Sequence, residues 1–241
     1  MLAIFFGVLG LLVGAVVNRT VPKLVAETKR RWLSCEHSRA GWPATVALLT
    51  RHRTCQECGP SALVLPALVE VGTGVVFAGL WLRFGPSLEL ALSAVYSAVF
   101  VLIFVVDMGW RLVPNKVVFP AAVFAVAGGL FWPGPISSLV GGLVGFGLLL
   151  LLYVVFPGGM GAGDVKLAAL IGLIAGWPGI ILALVLGFAV GGLAAALLLL
   201  TRRAGLRSHM PYAPSLVIGA MTVMLFGQDI LSWYLGTYHV P

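Results

Sequence analysis

Residues 88–107 read LELALSAVYSAVFVLIFVVD, nineteen residues with a single charge, Glu89, closed by an aspartate. A run of that length is close to the roughly 20 apolar residues that span a bilayer, and Asp107 stands where the apolar phase ends. Similar runs recur on either side, at 2–17, 62–82, 117–132, 137–156, 164–177, 179–201 and 212–235. The sixth of these eight is cut short by Trp177-Pro178-Gly179, which predicts a half-helix or a tilted one. Of the 241 residues 60% are hydrophobic and only 10% charged, with a mean hydropathy of +1.07. Soluble domains carry roughly 25% charged residues, so this composition excludes a water-solvated globule. The expected fold is all-α, a polytopic membrane bundle of about eight helices with a small cytoplasmic loop domain.

The first run, Leu2–Val17, has neither a basic flank before it nor a small-residue cleavage site after it, and it reads as a membrane helix. Residues 1–17 are then the first span, 18–60 a polar loop, and 61–241 the remaining membrane core. The loop holds eight basic residues, and Arg111, Lys116, Lys166, Arg202, Arg203 and Arg207 lie at later breaks between spans. Eight alternating spans put fourteen of the fifteen Lys and Arg on one side, all but Arg83. The positive-inside rule makes that side the cytoplasm, with both termini outside. The net charge of +7 therefore reports topology, and no nucleic-acid partner is expected. Glycines four apart, at Gly141/Gly145, Gly172/Gly176 and Gly187/Gly191, predict close helix packing.

Acidic residues are few, and two stand out. Asp107 ends the third span, and Asp164 follows Gly158-Gly-Met-Gly-Ala-Gly163 at the start of the sixth. The topology, read from basic residues alone, places both at the cytoplasmic face. Taken singly, Asp107 reads as an interfacial group reaching water and Asp164 as a helix N-cap. Together they suggest a pair. Two carboxylates sharing a site do not both ionise easily, so one keeps a proton while the other activates water, as in aspartic proteases.

These residues resemble a known family. Asp107-Met-Gly-Trp-Arg-Leu-Val-Pro114-Asn115 is similar to the first aspartate motif of the type IV prepilin peptidases, and Gly161-Ala-Gly163-Asp164-Val-Lys166 to their GxGD motif. Met210-Pro-Tyr-Ala-Pro214 resembles their last cytoplasmic loop, with Ala213 where glycine is usual. The resemblance implies cleavage of the basic leader of type IV prepilins or pseudopilins, at the cytoplasmic face of the bacterial inner membrane. It makes Asp107 and Asp164 the catalytic acid and base around one water. Gly161, Gly163, Lys166, Pro114, Asn115 and Pro214 become motif and substrate-positioning residues. Proteolysis by such a pair needs no cofactor.

In the polar loop, Cys55-Gln-Glu-Cys58 is a CxxC pair and Cys35 lies 20 residues upstream. With His37 or His52 as a fourth ligand these make a Cys3His zinc site; a redox pair and an unoccupied remnant are the other readings. Three cysteines do not make a disulfide framework. Gly14-Ala-Val-Val-Asn-Arg19 resembles the end of the family's first helix, and the stretch from Pro66 to Gly74 the start of its second. Bifunctional members carry two CxxC pairs between them, linked to N-methylation of the new N-terminus by S-adenosylmethionine. Here Ser38 stands in place of a fourth cysteine. Glu70, about three turns into an apolar helix, needs a partner or a cavity, and the resemblance places it near the methylation region. A transporter with intramembrane carboxylates and a non-catalytic pilus or secretion assembly protein are the competing readings.

Overall fold

The computed structural model describes residues 1–25, 44–49, 61–157, 160–201 and 212–238. Nine helices fall among them: α1 Leu2–Leu24, α2 Ala44–Leu49, α3 Ser61–Phe84, α4 Leu88–Trp110, α5 Asn115–Gly129, α6 Pro135–Val155, α7 Ala162–Ala175, α8 Gly179–Leu200 and α9 Ala213–Tyr238. There is no strand among the described residues. The eight longer helices lie where the eight apolar runs predict them. Six (α1, α3, α4, α6, α8 and α9) are long and apolar enough to cross a membrane. The other two, α5 with 15 residues and α7 with 14, are shorter. At 1.5 Å per residue each reaches only about 21–22 Å, against a hydrocarbon core of about 30 Å.

The chain divides into two units, Met1–Arg111 and Leu112–Pro241. In the first, α1 lies along α3 with no room between them. A Cβ on Gly10 would stand 2.6 Å from the Thr73 carbonyl oxygen, and one on Gly14 would stand 2.7 Å from the Glu70 Cα. Small residues are what allow such an approach where lipid gives helices no hydrophobic reason to associate. Farther up the pair, Phe6 stacks on Trp81 at 4.6 Å. Val17 and Val21 of α1, with the C-cap residue Val25, pack with Val105 and Val106 of α4. Gly85, at φ 56°, turns the chain after α3, and Ser87 caps α4 by accepting the Leu90 N–H at 3.1 Å. The first helix runs on to Leu24, past the apolar run that ends at Val17, because Asn18, Arg19 and Thr20 end hydrophobicity without ending helix.

In the second unit, α7 packs against α5, α6, α8 and α9. It meets α6 most intimately. Gly141 faces the Gly172 carbonyl oxygen and Gly145 the Ala168 carbonyl oxygen, both closer than any side chain permits. Gly187 and Gly219 bring α8 and α9 together in the same way. The four-residue glycine spacings are thus packing seams, as the sequence predicts. The Ser138 hydroxyl donates to the Leu173 carbonyl at 2.7 Å, and Ser137 and Trp177 bond to each other at 3.0 Å, pinning the start of α6 to the end of α7.

Candidate active site

Asp107 lies in the last turn of α4, on the buried face that also carries Ser93, Tyr96, Ser97, Phe100 and Ile103. It is only 5% exposed, which overturns the reading of an interfacial group reaching into water. The helix ends three residues later. Arg111 takes the left-handed conformation (φ 55°, ψ 44°), and its N–H donates to the Asp107 carbonyl at 2.8 Å. A non-glycine residue is uncommon there. The stop fixes the final turn in which the carboxyl group sits.

Asp164 is the third residue of α7, one turn past the helix start and not its N-cap, which is Gly161. Its Oδ2 accepts the Gly161 N–H at 3.2 Å, and its own N–H donates to the Gly161 carbonyl at 3.0 Å. A carboxylate at this position satisfies a donor that the helix leaves orphaned and meets the positive end of the helix dipole. The other oxygen has no part in that bond. Asp164 is 7% exposed, so it too is held away from bulk solvent.

The α6–α7 seam shows how deep it is held. Gly141 pairs with Gly172 and Gly145 with Ala168, so the antiparallel register sets Asp164 level with Leu149. α6 continues to Val155, and those six residues make about 9 Å at 1.5 Å per residue. The carboxylate is therefore recessed by about 9 Å from the end of the neighbouring helix, a direct result of α7 being short.

The glycines before Asp164 are not equivalent. A Cβ on Gly163 would stand 2.9 Å from the Val113 Cβ, so a side chain is excluded there. A Cβ on Gly161 would meet only the Asp164 Oδ2, at 3.5 Å, an ordinary contact. Lys166 reaches Asn115, its Nζ donating to Oδ1 at 3.0 Å, and lies 5.8 Å from the centre of the Phe119 ring. Pro114 is the N-cap of α5, and its carbonyl accepts from Val117 and Val118. In the second unit the structure thus gathers Pro114, Asn115, Gly161, Gly163, Asp164 and Lys166 around the starts of α5 and α7. Pro214 lies apart in sequence, buried in the first turn of α9, beside the fully buried Ala213.

Glu70 is buried on α3 and bonded to groups of α1 and α2. Cys35, His37, His52, Cys55 and Cys58 lie outside the described residues. Val113, Phe119, Asn18 and Thr45 carry site geometry that sequence reasoning did not assign. Val113 and Asn18 left a signal, since both lie inside the motif stretches that carry the resemblance.

The comparisons with known proteins agree with this geometry. The profile of the type IV leader peptidase family matches residues 94–197, a span that runs from α4 through α8 and takes in both aspartates. A prepilin leader peptidase/N-methyltransferase of Bacillus subtilis is 30% identical, over 79% of this chain and 77% of that protein. Proteins of the same name from Pseudomonas putida and Stutzerimonas stutzeri are 27% and 25% identical, covering 92% and 95% of this chain and 90% and 92% of their own length. No solved structure matches. The chain belongs to the type IV leader peptidase family.

Proposed function

We propose that this chain is a prepilin leader peptidase, a membrane aspartic endopeptidase that removes the basic leader of type IV prepilins or pseudopilins at the cytoplasmic face. The observation that carries the reading is the pair of nearly buried carboxylates, Asp107 and Asp164, each at one end of an apolar helix inside the family-matched span. Among the roles open to such groups, hydrolysis uses both. One carboxylate takes a proton from water as the water oxygen bonds to the scissile carbonyl carbon. The other, protonated, gives its proton to the carbonyl oxygen. Collapse breaks the C–N bond, the leaving nitrogen receives a proton, and a carboxylic acid and a new N-terminal amine result. This reading assigns acid and base to the two carboxylates jointly and not to either one.

Burial serves this chemistry, because charges developing in a site poor in water are felt more strongly than in bulk solvent. Lys166, held by Asn115 and Phe119, sets a positive charge two residues along α7 from Asp164. In this reading zinc and S-adenosylmethionine have no step in peptide hydrolysis. The double name of the relatives supports a second activity, N-methylation of the new amine, with S-adenosylmethionine supplying the methyl group.

The test is cleavage of a co-expressed prepilin, followed by gel shift. Wild type is expected to process it, and Asp107→Ala and Asp164→Ala each to lose cleavage almost completely at unchanged membrane level. Efficient cleavage by either variant would remove the paired-aspartate mechanism.

A further inference from the structure

Glu70 is 1% exposed, and its carboxylate meets four donors. Oε1 accepts the Ala44 N–H at 2.8 Å and the Asn18 side-chain amide at 3.3 Å; Oε2 accepts the Thr45 N–H and the Thr45 hydroxyl, each at 2.8 Å. A carboxylate offers about four lone-pair sites, so this one is saturated. No acceptor position remains to take a proton from a substrate amine or to bind a metal ion. The partners are also instructive. Asn18 comes from α1 and holds the Pro66 carbonyl of α3 at 2.9 Å. Ala44 and Thr45 are the first two residues of α2, whose position in the chain lies between Cys35 and Cys55. Gly14 lets α1 pass so close that a Cβ there would stand 2.7 Å from the Glu70 Cα.

We propose that Glu70 is a positioning residue for methyl transfer: it clamps the middle of the cysteine-bearing stretch to the α1–α3 pair and does not itself react. This rests on reading residues 18–60 as the stretch that serves methylation. Thr45 carries the cleanest test, since Thr45→Val removes one of the four donors and touches no reacting group, while Thr45→Ser keeps it. Hydrogen–deuterium exchange of the peptide spanning 44–49, in the purified full chain in lipid nanodiscs, reads the clamp directly. Mass spectrometry of a processed prepilin reads methylation and cleavage together.

Exchange is expected to rise about tenfold in Thr45→Val and further in Glu70→Gln, whose amide offers one acceptor oxygen to four donors. Methylated product should fall at least tenfold in Thr45→Val with leader cleavage unchanged, and Thr45→Ser should restore both exchange and methylation. Unchanged exchange in both Thr45→Val and Glu70→Gln overturns the clamp. Faster exchange with undiminished methylation overturns its link to methyl transfer, as does a wild-type chain that cleaves but never methylates. A wild-type chain that does not cleave counts against the peptidase reading alone, because the exchange measurement needs no activity.

Discussion

The two glycines of Gly161-Ala-Gly163-Asp164 look alike in sequence and differ in what surrounds them. Alanine at 163 would press its Cβ to 2.9 Å from that of Val113, and overpacking of this kind costs about 1–3 kcal/mol. Gly163→Ala should lower prepilin cleavage at least tenfold, and the second change Val113→Ala should recover much of it. Gly161→Ala, which meets only ordinary contacts, should leave membrane level unchanged. Both are read by immunoblot and by the gel-shift assay. At this scale the sequence picked out candidate residues and said least about what surrounds them. Asp164 was legible as a carboxylate at a helix start, but its place as the third helical residue depends on where the backbone begins to coil. Glu70 was legible as a buried charge in need of partners. The partners, Ala44 and Thr45, lie over 20 residues away and leave no local trace.

Among the helices, the short α7 is a packing centre as well as the carrier of Asp164. α7 is enclosed by four neighbours, and its seam with α6 admits no side chain at Gly141, Gly145 or Gly172. Gly172→Ala would drive a methyl group into the Gly141 carbonyl and should sharply reduce the folded protein recovered from membranes. Gly147→Ala, on the facing helix α6 but with open space around it, is the control and should be neutral. Either result is read by fluorescence-detected size-exclusion chromatography. Apolar run length announced these helices well, including the short sixth span that stops before Trp177-Pro178-Gly179. It fared worse at the end of α1, because hydropathy reports where charge begins and the backbone stays helical through Arg19 and Thr20 to Leu24. α2 is too short and too mildly apolar to be announced at all.

For the whole molecule, membership of the type IV leader peptidase family agrees with the resemblance of the two aspartate motifs, and the all-helical membrane fold with the expectation from composition. The orientation rests on the distribution of Lys and Arg. A periplasmic reporter fused within residues 83–87 should be active, and one fused within 202–211 inactive; the reverse pattern would invert the topology and move the proposed cleavage to the other face. The aspartates divide between two units of the chain, Met1–Arg111 and Leu112–Pro241, and the boundary falls inside the first motif, between Asp107 and Pro114.

If Asp164 is catalytic, as proposed, its recess sets a minimum leader length. About 9 Å is about three residues of extended chain, so a peptide coming from the Val155 end must bring roughly that much uncoiled backbone before its scissile bond meets the carboxylate. A helical segment, rising only 1.5 Å per residue, would need twice as many and would present its carbonyls already bonded. Leaders trimmed to one or two residues should therefore resist cleavage, while leaders lengthened by ten should be cut at nearly the wild-type rate. The enzyme would act as a gauge of unwound length as well as a reader of leader charge.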